Sequence, residues 1–267
     1  MSVQDHFSEE TKIAEQAARE AGRIIMALFG KDYVIEEKGK GNPVTTADLE
    51  ANRKIQEIIS GRFPDDGWLS EEDKDNPDRL KAPRVWVVDP IDGTKEFIQG
   101  VPQFAVSIGL VVGRRAVLGV VYNPAAEKFF VAVKGQGARL NGQPLRVSSQ
   151  EKANGALLLV SRSEPRRKFQ SFAEICRLEP LGSIAYRMAM VAGGGGDGTL
   201  TFRTVHEWDV CAGELIVEEA GGIVWDGRGK ELVFNQPDAL CRGIVASNKI
   251  LGPVLHKMLA RALTEKK

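Results

Sequence analysis

Between positions 85 and 133 the chain carries four short apolar runs, each closed by a turn signal, and no other feature constrains the fold as strongly. Val85-Trp86-Val87-Val88 is stopped by Asp89-Pro90 and suits a buried strand. Runs over 105–112, 116–122 and 128–133 follow, separated by Gly113-Arg114-Arg115 and Asn123-Pro124. The segment before them has another period. Ile13, Ala17, Ala21, Ile24, Ile25 and Leu28 recur at spacings of three and four, which predicts a helix over 8–29 with Ser8 as N-cap and Gly30 as stop. Residues 36–48, EEKGKGNPVTTAD, read as a polar loop. Thr45 or Thr46 caps a second helix over 48–60, with Leu49, Ile55, Ile58 and Ile59 inward, and 63–82 reads as loop. Two helices followed by closely spaced strands predict an α+β half.

The second half alternates. Strands are expected at 156–160, 199–203, 223–225 and 243–247, and helices at 165–177, 183–192, 209–220 and 251–263. That order predicts a layered α/β half. The polar stretch 148–154 marks the boundary, so the expected units are 1–150 and 151–267.

Charge narrows the function. Lys+Arg and Asp+Glu balance at 36 each. A protein that coats nucleic acid needs a basic excess to displace counterions, so no nucleic-acid polymer is expected as partner. No apolar run reaches the length of a membrane span, and MSVQDHFSEE lacks the basic-then-apolar pattern of an export signal. Cys176, Cys211 and Cys241 are odd in number and widely spaced, and His6, His206 and His256 form no cluster. Disulfide scaffolds and thiolate zinc sites are disfavoured, a reducing cytoplasm is expected, and any metal must be held by oxygen.

The densest chemistry is Asp89-Pro90-Ile91-Asp92-Gly93-Thr94. Two carboxylates leave the end of an apolar strand three residues apart. Like charges so close repel unless a cation or proton intervenes. Hard oxygen ligands suit Mg²⁺. Taken alone, the segment is equally compatible with a solvated acidic turn. Asp209, just before an apolar helix, reads as an N-cap, a position that also favours anions.

Together, Glu71-Glu72, Asp89-Pro-Ile-Asp92-Gly93-Thr94 and Trp208-Asp209-Val-Cys-Ala-Gly213 resemble the inositol monophosphatase superfamily, whose members are lithium-sensitive, Mg²⁺-dependent phosphomonoesterases. The match runs from about Asp48 to Gly222, and only Cys211 stands where small residues are usual. Asp92-Gly93-Thr94-Lys95-Glu96-Phe97, Ser161-Arg162-Ser163 and His206-Glu207-Trp208-Asp209 are most similar to the 3′-phosphoadenosine 5′-phosphate phosphatases, although Glu164 follows the serine-arginine-serine triplet where those enzymes usually have histidine.

The resemblance implies a layered α/β/α/β/α sandwich of two halves with the active-site cleft between them. It implies two or three Mg²⁺ ions on Glu71, Asp89, the Ile91 carbonyl, Asp92 and Asp209. Asp48 and Thr94 would orient the attacking water, with Glu71 on the metal that holds it. The N–H groups of Gly93 and Thr94 would bind phosphate, and Gly182-Ser183-Ile184 would lie along the substrate with Ile91, Asp92 and Asp209. Lys38 sits where a basic residue often occurs. The implied reaction is hydrolysis of a 3′(2′),5′-bisphosphate nucleotide to the 5′-monophosphate, with inositol 1-phosphate or fructose 1,6-bisphosphate as alternatives. A monomer or homodimer is expected.

Other readings are weaker. Gly193-Gly-Gly-Gly-Asp-Gly198 fits GxGxxG but follows a helix and precedes a strand, the reverse of a dinucleotide fingerprint. A phospho-aspartate route needs an acid at position 90, which is Pro90. His206 beside Glu207 reads as packing rather than a base dyad, and Trp68, Trp86, Trp208 and Trp225 as core and rim. Arg166-Arg167-Lys168 reads as a solvated face able to attract a substrate's second phosphate. A non-catalytic module that binds metal or sugar phosphate would not need Asp48, Glu71 and Thr94 together, because binding alone needs no positioned water.

Overall fold

The structure is a computed structural model that describes residues 7–39 and 42–264. Five layers stack in the order helices, sheet, helices, sheet, helices, as the sequence resemblance implies. The first is α1 (Ser8–Leu28) with α2 (Thr46–Arg62). Beneath it a seven-stranded sheet runs in order from β3 (Gly67–Ser70) through β4 (Arg84–Asp92), β5 (Ala105–Val112), β6 (Arg115–Asn123), β7 (Lys128–Val133) and β8 (Ala138–Leu140) to β9 (Gln143–Pro144). The middle layer is α5 (Ile184–Ala192) and α6 (Glu207–Glu219). The second sheet has the order β11 (Arg177–Leu181), β10 (Leu157–Ser161), β12 (Gly198–His206), β14 (Leu240–Asn248), β13 (Gly222–Asp226). α7 (Leu251–Thr264) and the single turn α4 (Gln170–Ala173) cover its far face. The one-turn helix α3 (Thr94–Ile98) and the hairpin of β1 (Ile35–Gly39) and β2 (Asn42–Thr45) complete the elements.

Three apolar clusters fill the spaces between the layers, the middle one serving both faces of α5 and α6. Ala14, Ala17, Ala18, Ala21 and Ile25 of α1 meet Val106, Ile108, Leu118 and Val120 of the first sheet. Met188, Val210, Leu215 and Ile216 fill the space between the sheets. Leu158, Leu200, Leu251, Leu255 and Leu259 fill the outermost one. Strands 5 to 7 lose both faces to neighbours, which is why they read as near-continuous apolar runs. α6 crosses the first sheet closely because Gly119 has no side chain: a Cβ there would stand 2.6 Å from the Ala212 carbonyl oxygen.

Several expectations are corrected. The first helix starts at Ser8, and the cap position is Phe7. The polar loop is the β1–β2 hairpin, whose first strand is exposed throughout and shows no periodicity. Thr45 is the cap of α2, and Leu49 points outward at 41% exposure. The 63–82 segment includes β3 and a 3-10 turn, Pro77–Lys81. β4 continues past Val88 to Asp92 through a bulge. The helix expected at 165–177 is a 3-10 turn, Arg166–Phe169, and α4, and edge strand β11 follows. Asp209 is the third residue of α6 rather than its cap, which is His206. The stretch 193–198 joins a helix to a strand, as its order implied.

Candidate active site

β3 and β4 run parallel with Ser70 beside Val88, so the next residues, Glu71 and Asp89, emerge together at the carboxyl ends of both strands. Glu71 N–H still donates to the Val88 carbonyl at 3.2 Å. Beyond Asp89 the pairing with β5 slips: Asp89 faces Ser107, yet Asp92 faces Ala105. One extra residue bulges out, and Pro90, which has no N–H to give a ladder, sits in that bulge. The bulge turns Asp89 and Asp92 toward one space, and the Ile91 N–H donates to Asp89 Oδ1 at 2.9 Å.

Asp209 enters from the other side of this space on α6. Its Oδ2 accepts the His206 N–H at 2.7 Å in a capping box. Carboxylate oxygens of Glu71, Asp89 and Asp209 lie within 4.8 Å of one another. Asp92 is not in that trio. Its Oδ2 accepts from Ser183 Oγ at 2.6 Å and from the Ala185 N–H at 2.7 Å, the first turn of α5.

The trio is electrostatically frustrated without a cation. Burial, then Glu71, Asp92 and Asp209, pushes the Asp89 carboxyl well above its usual range. Burial, then Asp92 and Glu71, does the same to Asp209. Asp92 is pushed up to about 6 by burial, against the bonds from Ser183 and Ala185 and the charge of Arg187. Glu72 is pushed up to about 7, mainly by burial, and its Oε2 is buried with no partner among the described residues. Lys38 Nζ donates to Glu71 Oε1 and Glu72 Oε1, both at 2.8 Å. Hard oxygen donors held together against mutual repulsion fit a divalent cation of the Mg²⁺ class.

Asp48 and Thr94 also meet. The buried Asp48 accepts at Oδ2 from the Thr45 N–H at 2.8 Å and from Thr45 Oγ1, closing the α2 capping box. Thr94 Oγ1 lies 3.0 Å from Asp48 Oδ1 and 3.1 Å from the Ile91 carbonyl, so its single proton serves one of the two. Burial raises the Asp48 pKa against the bonds from Thr45 and Thr94. Gly93 has φ 101°, and a Cβ there would meet the Gln103 carbonyl at 3.0 Å. Gly182 N–H donates to Gln103 Oε1 at 3.0 Å, and Ser183 caps α5 by accepting the Tyr186 N–H. Ile91, Asp92, Gly93, Thr94, Gly182, Ser183, Ile184 and Asp209 all line one cleft with Glu71 and Asp89.

The same cleft contains Lys95 and Glu96, which the sequence gives only as part of the subfamily motif, and Arg187, Thr201 and Arg203, which the sequence reading passed over. Glu164 is buried, accepting from Thr201 Oγ1 at 2.5 Å and the Phe202 N–H at 3.2 Å. His206 stacks on Trp208 at 4.3 Å, and Glu207 accepts the Asn235 and Gln236 N–H groups, so the two side chains form no dyad.

Comparison with known proteins agrees with this geometry. The profile described as inositol monophosphatase family matches residues 6–267. Inositol monophosphatase 3 of Solanum lycopersicum is 35% identical over 260 residues, covering 92% of this chain and 95% of that one. The fructose-1,6-bisphosphatase/inositol-1-monophosphatase of Thermotoga maritima is 34% identical, covering 92% and 94%. A Thermotoga maritima IMPase structure superposes with a TM-score of 0.88 at 31% identity, covering 97% of this chain and 100% of that one.

Proposed function

Because the chain belongs to the inositol monophosphatase family, we propose that its cleft carries out Mg²⁺-dependent hydrolysis of a small phosphomonoester by direct attack of water. The observation that carries the reading is the Glu71, Asp89 and Asp209 trio within 4.8 Å. Beside it stands the Asp48–Thr94 pair at 3.0 Å. The trio, with the Ile91 carbonyl and Asp92 beside it, would hold the cation. When bound, Mg²⁺ supplies positive charge against a phosphate dianion and acidifies water. The protein's own groups then set the direction of attack. With its proton on Asp48 Oδ1, Thr94 Oγ1 keeps lone pairs free to accept from a water molecule. Asp48 is fixed at its other oxygen by Thr45 and is placed to take up the proton that passes through the hydroxyl. Glu71 would be among the ligands of the cation that binds that water. Gly93 and Thr94 present main-chain N–H groups to the phosphate, and Gly182-Ser183-Ile184 flanks the alcohol.

For the substrate, the leading reading is a 3′(2′),5′-bisphosphate nucleotide. The Asp92–Phe97 segment resembles the bisphosphate nucleotidases, and the cleft is also lined by the cationic Lys95, Arg187 and Arg203. The second reading is inositol 1-phosphate, favoured by the names of the relatives. A phosphate-release panel of adenosine 3′,5′-bisphosphate, inositol 1-phosphate and fructose 1,6-bisphosphate at equal Mg²⁺ decides between them. The Thr94→Ala variant is expected to lose about a hundredfold or more in rate while Mg²⁺ affinity stays within a few-fold, because the hydroxyl orients and does not ligate. Metal affinity collapsing with the rate would remove Thr94 from the water-orienting role.

A further inference from the structure

We infer that Arg187 and Lys95 recognise a second anionic group, phosphate or carboxylate, on the alcohol half of the substrate, and so set the preference of the site. The inference rests on the phosphomonoesterase reading above. Arg187 is 4% exposed and still lines the cleft. Its Nη1 donates to the Leu181 carbonyl at 3.0 Å and its Nε to Thr199 Oγ1 at 3.2 Å. Nη2 has no partner among the described residues. It is also not sealed in the interior, because Glu72 Oε2 is the one buried side-chain nitrogen or oxygen there without a partner. The remaining nitrogen therefore meets solvent through the cleft. Burying a guanidinium is costly unless its donors are used, and this one keeps a donor edge for an occupant of the cleft. A guanidinium edge suits the paired oxygens of a phosphate or carboxylate.

Lys95 supplies the second half of the argument. It follows Thr94 directly, lines the cleft, and also lines a neighbouring cavity of about 570 Å³. Its ammonium makes no hydrogen bond or ion pair among the described residues. The two cavities share Lys95, Glu96, Ser161, Ser163 and Glu164, so they adjoin. The phosphate-side cleft is about 210 Å³, and the neighbouring cavity is large enough for a nucleoside-sized alcohol. Arg162 and Arg166 add positive charge around that cavity, and Arg203 adds it to the cleft. Of the two carboxylates present, Glu164 is occupied by Thr201, Phe202 and Lys168, and Glu96 faces Arg162 at 3.9 Å. Asp92, Glu164 and Glu96 also face Arg187 and balance part of its charge, but none of them takes its third nitrogen in a hydrogen bond. Arg167 and Lys168, singled out by sequence, do not line either cavity.

The test compares kcat/KM within two pairs of esters at saturating Mg²⁺. Adenosine 3′,5′-bisphosphate is paired with adenosine 3′-monophosphate, and 3-phosphoglycerate with glycerol 3-phosphate. The unmodified protein is expected to prefer the doubly anionic member of at least one pair by about tenfold, as charge-assisted hydrogen bonds warrant. The pair that shows the preference identifies phosphate or carboxylate. Lys95→Met and Arg187→Met should each reduce that ratio several-fold, and Arg187→Lys should restore part of it. A merely structural Arg187 would depress both members equally and leave the ratio fixed. If Arg187→Met fails to fold, Lys95→Met decides alone. A ratio below about threefold in both pairs, or one unmoved by the variants, overturns the inference while leaving the hydrolase reading intact. Release of phosphate from no ester overturns both.

Discussion

Glu214 is 3% exposed within α6 and has no ion pair among the described residues. Burial first, then the charge of Glu218, pushes its carboxyl up to about 8, and Lys134 and Arg115 only partly oppose this. The folded state therefore holds a proton that the unfolded chain releases near 4.5. Between those two values the native state binds more protons, so stability falls as pH rises and the loss is complete above about 8. Glu214→Gln imitates the protonated form. It should raise the urea midpoint at pH 8.5, by on the order of 1–3 kcal/mol in unfolding free energy, and change it little at pH 5. An equal effect at both pH values would mean that the carboxyl is not protonated in the native state. The residue scale was also where sequence reading was most selective. Glu71, Asp89 and Asp209 were legible because they end strands or open a helix within recognisable motifs. Arg187 was not, since one arginine inside the apolar helix run 184–192 gives no sign that its head turns back to Leu181 and Thr199.

At the scale of elements, legibility followed burial. β5 and β7 were placed to the residue because their side chains alternate between two covered faces, or fill both. The β1–β2 hairpin was hidden because no core face imprints a period on it. β11 was hidden because an exposed edge strand containing Pro180 looks like the tail of a helix. The most consequential element contact is also invisible in a hydropathy pattern. α6 lies against Gly119 and carries Asp209 at its start, so the depth of one backbone-to-backbone approach sets the position of a carboxylate of the proposed metal site. Gly119→Ala would place a methyl 2.6 Å from the Ala212 carbonyl, and both sides of that contact are backbone. The variant is expected to lose about 1–3 kcal/mol in urea unfolding and to lose activity at temperatures where it remains folded. Full activity in a destabilised variant would separate packing at Gly119 from the placement of Asp209.

Across the whole molecule, neutrality conceals separation: formal charge sums to +0, yet the cleft collects Glu71, Asp89, Asp92 and Asp209, with Glu72 beside Glu71. The glutamates and Asp89 and Asp92 come from the β3–β4 edge of the first sheet and Asp209 from the helix layer beneath it, so their repulsion acts against the stacking of those two layers. Without a cation, the raised carboxyl pKa of Asp89 means that the folded state binds more protons than the unfolded chain above the ordinary value of 3.8. Metal-free protein should therefore lose stability as pH rises from that value toward the elevated native one. On the proposed reading a divalent cation binds the native arrangement and not the unfolded chain, so it should raise Tm by mass action. The increment should grow from pH 5.5 to pH 8, because protons compete for the same oxygens at the lower pH. Asp89→Asn removes one repelling charge and one ligand together. It is expected to raise the Tm of chelator-treated protein at pH 8, abolish most of the Mg²⁺ increment, and abolish phosphate release. Thermal scans with chelator or MgCl₂, at ionic strength held constant with KCl, read all three quantities against the unmodified chain. A Mg²⁺ increment of the same size in Asp89→Asn would show that the cation stabilises the fold elsewhere. A lower metal-free Tm would show that the buried carboxylate is held by hydrogen bonds stronger than the repulsion around it.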